Sequence, residues 1–297
     1  MSIYLTGASG FVGKNLIFYF DKKFQIKKYI RDSEFFISQK TVIHLAGKAH
    51  DLRNVSNKNE YYEVNTEFTK KIFDSFLISD STVFIILSSV KSVADNVNGV
   101  LTEDEIPNPK THYGKSKLLA EEYILSKKIP KNKRVFILRP CMIYGPGNKG
   151  NLNILYKIVS KKVPWIFGSF DNKRSYCSIE NLLFIINELI ENKKITSGIY
   201  NVADDDPIST NEIVSIIADS LYMKSTRLNI SKKLIRMTAK IGDVIPLPLN
   251  SERLKKLTES YVVSNKKIKK AIGKSLPINI REGLLDTFKF FKLKKYK

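Results

Sequence analysis

An apolar strand that runs into a glycine-spaced turn and straight on into a helix constrains this chain more than any other feature. Ile3 to Thr6 reads as a buried strand, Gly7, Gly10 and Gly13 punctuate the turn, and Phe11 to Phe20 follows as a helix. Glycines in that context permit a tight turn, close approach of backbone to a pyrophosphate, and packing of helix on strand. The helix N-terminal amides then face the phosphates. The first two glycines are three residues apart instead of two, which separates this turn from the commonest dinucleotide-binding spacing.

The alternation continues. Ile26 to Ile30, Thr41 to Ala46, Thr82 to Leu87 and Arg134 to Leu138 read as strands, with helices expected over Tyr61 to Leu77 and Tyr113 to Lys127. This pattern predicts an α/β fold: a Rossmann-like, doubly wound parallel sheet with a smaller C-terminal substrate-binding lobe. Beyond Tyr144 the texture changes to shorter elements between turns, and Ser209 with Glu212 forms a capping box ahead of a helix over Ile213 to Leu221. The expected division is therefore a dinucleotide-binding domain over 1–143 and a substrate lobe over 144–297.

Composition removes several function classes. With 297 residues, 43% of them hydrophobic, the chain can bury a sizeable core. The net charge of +21 invites a nucleic-acid or membrane-surface reading, but the lysines are scattered through every segment, as on a solvated surface, so no nucleic-acid partner is expected. Cys141 and Cys177 match no metal-ligand or disulfide-framework spacing, which implies no metal site and a reduced, cytoplasmic protein. No apolar run reaches the roughly 18 residues of a membrane span, and the start lacks a signal-peptide pattern, so a soluble protein with no transmembrane segment is expected.

Chemistry enters at Tyr113-Gly114-Lys115-Ser116-Lys117. A tyrosine and a lysine four apart share one helix face, so the ammonium can hold the phenol's pKa down and ready it for proton transfer. Six segments, TGASGFVG at 6–13, VIHLAG at 42–47, LSSV at 87–90, YGKSK at 113–117, LRP at 138–140 and YGPG at 144–147, resemble the extended short-chain dehydrogenase/reductase family in order and spacing. From Val42 through Gly150 the text is most similar to nucleotide-sugar epimerases, dehydratases and 4-keto reductases of bacterial surface-polysaccharide pathways.

The resemblance implies Tyr113 as acid/base, Lys117 as its pKa partner and nicotinamide-ribose anchor, and Ser89 as the hydroxyl bonded to the reacting sugar oxygen. Ser88 fits better as a strand-end cap. Gly7, Ser9, Gly10, Phe11, Val12, Gly13, Leu45, Ala46 and Pro140 are implied cofactor contacts together with Tyr113 and Lys117. His44 reads as a packed strand histidine, and Asn65 as either a residue near the active site or a buried structural amide. Arg31 stands where NAD-specific relatives carry an acid; an arginine suits a 2′-phosphate, so NADP(H) is favoured, while Asp32 keeps NAD open. Only about ten residues separate Arg31 from Thr41, where the family usually has a further strand and helix, a truncation that resembles the reductase branches.

Asn151, Arg174 and Arg253 match positions where relatives hold the nucleotide sugar, and the helices at 61–77 and 113–127 resemble those that pair into a homodimer, with Tyr62, Phe73 and Leu119 as apolar contacts. The function expected first is a 4-keto reductase of a UDP-4-keto-6-deoxy-N-acetylhexosamine. A UDP-hexose 4-epimerase with tightly bound NAD is the second, and a non-catalytic dinucleotide-binding sensor the third.

Overall fold

The computed structural model describes residues 1–30, 36–48, 57–148, 150–245 and 249–294. The chain opens with β1 (Ser2–Thr6), α1 (Phe11–Phe20), β2 (Gln25–Lys28) and β3 (Thr41–His44). Next come α2 (Lys58–Tyr62), a π-helical turn over Glu63–Glu67, α3 (Phe68–Ile78), β4 (Val83–Leu87), β5 (Val100–Leu101), α4 (His112–Leu125) and β6 (Arg134–Pro140). The remainder holds β7 (Met142–Tyr144), α5 (Asn151–Ser160), β8 (Tyr176–Ser178), α6 (Ile179–Glu191), β9 (Gly198–Val202), α7 (Thr210–Ser220), α8 (Lys232–Val244), α9 (Ser251–Thr258), β10 (Val262–Val263), α10 (Lys266–Ile272) and α11 (Ile280–Lys294).

Six strands pair in the order β2-β1-β3-β4-β6-β9, every pair parallel. Because strand side chains alternate between faces, consecutive apolar residues feed opposite cores. Leu5, Ile43, Ile85 and Phe136 pack with Leu16 and Phe20 of α1 and with α6, whereas Tyr4, Val42, Phe84 and Val135 pack with Phe73 and Phe76 of α3 and Ile124 of α4. This double burial is why β4 and the centre of β6, Val135–Leu138, read as unbroken apolar runs. A separate core around Tyr144, Trp165, Ile213, Leu284 and Phe288 fills the C-terminal lobe.

Strand order reverses between β1 and β3, which is where open α/β sheets leave a crevice at the strands' carboxyl ends. Gly7, Leu45, Ser88–Ser89 and Pro140 all lie at such ends, of β1, β3, β4 and β6 respectively. The chain re-enters the large sheet through β9 after passing residue 143. We propose the division at 143–144 with that one return of the C-terminal segment to the dinucleotide-binding sheet.

Two expectations change. The helix expected over 61–77 is divided by the π turn, which buries Asn65 and Thr66. Phe73 faces the sheet with no exposure and belongs to the core, so its expected place at a dimer surface is corrected: the apolar face of α3 is already consumed by β4. The capping box forms as expected, with Glu212 N donating to Ser209 Oγ at 3.1 Å and Ser209 N to Glu212 Oε2 at 2.8 Å. Residues 36–40 lead directly into β3, and among the described residues β2 is the edge strand. Arg31 and Asp32 lie outside the described residues.

Candidate active site

The glycine turn is shaped by contact with the neighbouring strand end. Gly7 has φ +72°, and a Cβ there would lie 2.5 Å from Ala46 N and 2.6 Å from the Leu45 carbonyl carbon. No side chain other than hydrogen fits, and the same contact brings together Gly7, Leu45 and Ala46, three of the expected cofactor contacts. Gly10 donates to the Gly7 carbonyl at 3.1 Å and begins α1 in extended conformation, with no side chain capping the helix. The first amides of α1 are thereby left to face a phosphate. Ser9 and Gly10 are exposed, Phe11 and Val12 are half-buried and Gly13 is buried beneath them.

Helix α4 carries Tyr113 and Lys117. Thr111 caps it, accepting from Gly114 N at 3.1 Å, and its inward face carries Gly114, Lys117, Ala120, Glu121 and Ile124, a helical stripe in which two charges replace apolar residues. A Cβ on Gly114 would meet the Lys91 carbonyl at 2.4 Å, so this glycine is what lets α4 lie against the turn after β4.

That turn carries Ser88 and Ser89. The Ser89 hydroxyl hydrogen-bonds the Tyr113 phenol and also accepts from Lys91 N at 3.2 Å. The capping role expected of Ser88 thus falls to Ser89. Ser88 instead donates to Glu121 Oε1. The lowering expected from Lys117 is not found: burial pushes the Tyr113 phenol above its ordinary pKa, the Ser89 bond opposes this, and Tyr61, packed edge-on at 6.3 Å, adds to the rise.

Lys117 is buried, donates to the Leu87 carbonyl at 2.9 Å and abuts Gly47, two residues beyond Leu45. Burial lowers its pKa to about 8, while the Glu121 carboxylate one turn on acts to raise it. Glu121 is itself held by Arg139, whose Nε reaches both carboxylate oxygens at 3.1 Å and whose Nη2 reaches Oε2 at 2.5 Å, and by the Ser92 hydroxyl at 2.7 Å.

A second hydrogen-bond chain runs beneath the glycine turn. Thr69 donates to the Asn65 carbonyl at 2.7 Å, so its oxygen is free to accept from His44 Nε2 at 2.9 Å, and His44 Nδ1 accepts from Thr6 Oγ1 at 2.7 Å. Neutral His44 is therefore fixed in its Nε2–H tautomer, and burial, followed by the charge of Lys117, pushes its pKa down to about 3. It is the packed strand histidine expected. Asn65 bridges Lys48 N at 2.8 Å and Ser116 Oγ at 2.9 Å, joining the segment after β3 to α4. π turns recur at functional sites because they free a helix residue to reach sideways.

A family model for the NAD dependent epimerase/dehydratase family matches residues 3–203. The chain belongs to that family. It is 30% identical to UDP-glucose 4-epimerase of Vibrio cholerae, over 98% of this chain and 95% of that one. It is 27% identical to N-acetyl-alpha-D-glucosaminyl-diphospho-ditrans,octacis-undecaprenol 4-epimerase of Escherichia coli O157:H7, over 91% and 85% respectively. The solved structure of MoeE5 in complex with UDP-glucuronic acid and NAD superimposes with a TM-score of 0.76 at 20% identity, covering 99% of this chain and 100% of that one, a likeness of fold.

As a member of the epimerase/dehydratase family the protein is a short-chain dehydrogenase/reductase-type enzyme that uses a nicotinamide dinucleotide. Its own residues fit that group: a turn too tight for any Cβ, an uncapped helix start, and a buried lysine between strand ends. The expected substrate contacts are more dispersed. Asn151 is exposed at the start of α5, Arg253 is exposed on α9, and Arg174 donates to the Lys256 carbonyl at 2.5 Å near the end of that helix, with Glu259 3.8 Å away. Glu121, Arg139, Thr6 and Thr69 were not singled out from sequence. Glu121 was accessible as a charge four residues after Lys117 on the same face, whereas Arg139 required the sheet register. Both cysteines are buried and free, and burial pushes both thiols up. Among the described residues no cluster fit for a metal ion occurs and no helix is long and apolar enough to cross a membrane.

Proposed function

We propose that the protein interconverts the C4 epimers of a hexose carried on a nucleoside diphosphate, with UDP the favoured carrier. The observation that carries this reading is the contact of Ser89 with Tyr113, one helical turn from buried Lys117 and beside the Gly7 turn. A nicotinamide dinucleotide held against the Gly7 turn would supply a hydride acceptor and donor. Tyr113 takes the proton of the C4 hydroxyl as that carbon gives up its hydride, and returns it when hydride arrives on the other face. Ser89 hydrogen-bonds the same oxygen while its charge changes, and Lys117, one turn along α4, is the proposed anchor of the nicotinamide ribose. Arg174 and Arg253 are proposed contacts to the diphosphate, for which guanidinium geometry is suited, and Asn151 a contact to the nucleotide sugar.

Full-length similarity to two 4-epimerases supports this order of preference. A second reading, NADPH-dependent reduction of a UDP-4-keto-6-deoxy-N-acetylhexosamine, is favoured by the short passage from Arg31 to Thr41 and by Arg31 itself. Release of dinucleotide from the purified protein, with identification of the product formed from UDP-glucose or UDP-N-acetylglucosamine, separates them. Retained NAD with a C4-inverted product supports the epimerase. An empty protein that consumes NADPH only with a 4-keto sugar overturns it in favour of the reductase. We also propose a cytoplasmic homodimer, with Tyr62 and Leu119 at the subunit contact.

A further inference from the structure

Among the described residues, nothing covers one face of helix α8. Ile235 and Ala239 are buried in the C-terminal lobe's core, and Gly242 lies against the Leu249 carbonyl, so one side of α8 is fully used. Leu234, Met237, Ile241 and Val244 are spaced three, four and three apart, which places them on a single helical stripe. They are 48, 56, 44 and 87% exposed, and Ile245 extends the stripe past the helix end at 53%. Scattered exposed apolar residues are ordinary on a protein surface, but four on one stripe of one helix are not.

The charge beside the stripe indicates what covers it. Lys233, Arg236 and Lys240, spaced three and four, form an exposed basic row along its edge, and Lys232 is exposed at the first turn. The single acid of α8, Asp243, is turned toward α9, where it accepts from Ser251 N at 2.9 Å and Ser251 Oγ at 2.5 Å. Apolar and cationic rows side by side on a surface helix match the boundary between acyl chains and anionic headgroups, and the net charge of +21 reinforces that attraction. A protein partner would need to be both acidic and apolar along a matching groove; a lipid surface meets both conditions without further design.

We propose that α8 lies in the plane of an anionic phospholipid surface, with Leu234, Met237, Ile241 and Val244 inserted and Lys233, Arg236 and Lys240 at the headgroups. The neighbouring helix α9 carries Arg253 and receives Arg174 at the Lys256 carbonyl, so docking would hold the proposed substrate side of the enzyme next to the membrane. The inference rests on the surface of α8 and not on the proposed reaction.

The test is co-sedimentation of the full chain with sucrose-loaded vesicles of phosphatidylcholine, with and without phosphatidylglycerol. Binding is expected on the anionic vesicles and not on neutral ones, and it weakens with added salt. Met237→Asp/Ile241→Asp is expected to lower partitioning by at least about tenfold, the factor for losing one buried apolar side chain. Lys233→Gln/Lys240→Gln lowers it as well, whereas Lys266→Gln/Lys270→Gln, a matched charge change on α10, leaves it near wild type. These residues lie outside the catalytic machinery, so turnover of a soluble substrate stays unchanged and reports that each variant is folded. Absence of binding to anionic vesicles overturns the proposal. So does equal loss in the α8 and α10 charge variants with no loss in the aspartate variant, which would mean diffuse adhesion of a basic protein. Loss of self-association in the aspartate variant without vesicle binding would assign the stripe to a second copy of the chain instead.

Discussion

Replacing Glu121 by Gln tests whether the charged pair beneath the active site does two jobs at once. Glu121 and Arg139 expose only 1% and 3% of their side chains, so water contributes almost nothing to holding either charge. Gln keeps the shape and one acceptor for Ser88 and Ser92, but it removes the charge opposite Arg139 and turns an amide N–H toward the guanidinium. Breaking one partner of a buried pair costs about 3–5 kcal/mol, because the remaining charge is desolvated and uncompensated. Against a total of about 5–15 kcal/mol for a folded protein, the variant loses a large fraction of its stability. The double variant Glu121→Met/Arg139→Met leaves no orphan charge and is expected to be more stable than Glu121→Gln, despite two hydroxyls losing an acceptor. Urea unfolding of Glu121→Met, Arg139→Met and the double variant gives the coupling directly. The catalytic consequence has a definite sign. Glu121 holds up the pKa of Lys117, which burial has lowered to about 8. Its loss therefore makes Lys117 shed its proton at lower pH, and the alkaline fall in kcat/KM moves to lower pH. A single variant that costs less than about 1 kcal/mol, or strictly additive costs with an unmoved alkaline limb, would refute the reasoning.

Three other outcomes are expected. Tyr113→Phe lowers kcat by about 10² to 10⁴ while dinucleotide affinity by fluorescence titration stays near normal; a variant retaining more than about a tenth of the rate removes Tyr113 from its role. Gly7→Ala places a Cβ 2.5 Å from Ala46 N at φ +72°, so it loses dinucleotide binding and melts earlier; unchanged binding by the same titration would show that the turn is not the cofactor cradle. His44, neutral when folded with its pKa lowered to about 3, takes up a proton on unfolding below pH 6.5, so its contribution is full above pH 6.5 and is lost as pH falls toward 3. Between pH 7 and pH 5 this amounts to about 2 kcal/mol by linkage. His44→Gln should lose less stability over that interval than wild type in urea melts, and an identical loss would sink the assignment.

Local chemistry made much of the protein legible from its residues in order. The strand, glycine turn and helix at the start, the Tyr113–Lys117 spacing on one helix face and the Ser209–Glu212 cap depend on neighbours within a few positions, and each appears where its pattern put it. Apolar runs at 83–87 and 135–138 also announced a sheet covered on both faces, since no exposed strand tolerates such a run. The π turn at 63–67 left no such trace, because its registry is set by where Asn65 must reach Lys48 and Ser116, contacts 17 and 51 residues away in the chain. Phe73 has the same apolar character whether it meets the sheet or a second subunit, and only packing against Phe84 decided between them. Glu121 and Arg139 look like surface charges until the β4–β6 pairing and the close approach of Gly114 to Lys91 bring them together beneath Ser88 and Lys117. The sequence determined which groups could do chemistry; the fold decided which of them are dry, paired and close enough to shift one another's charge.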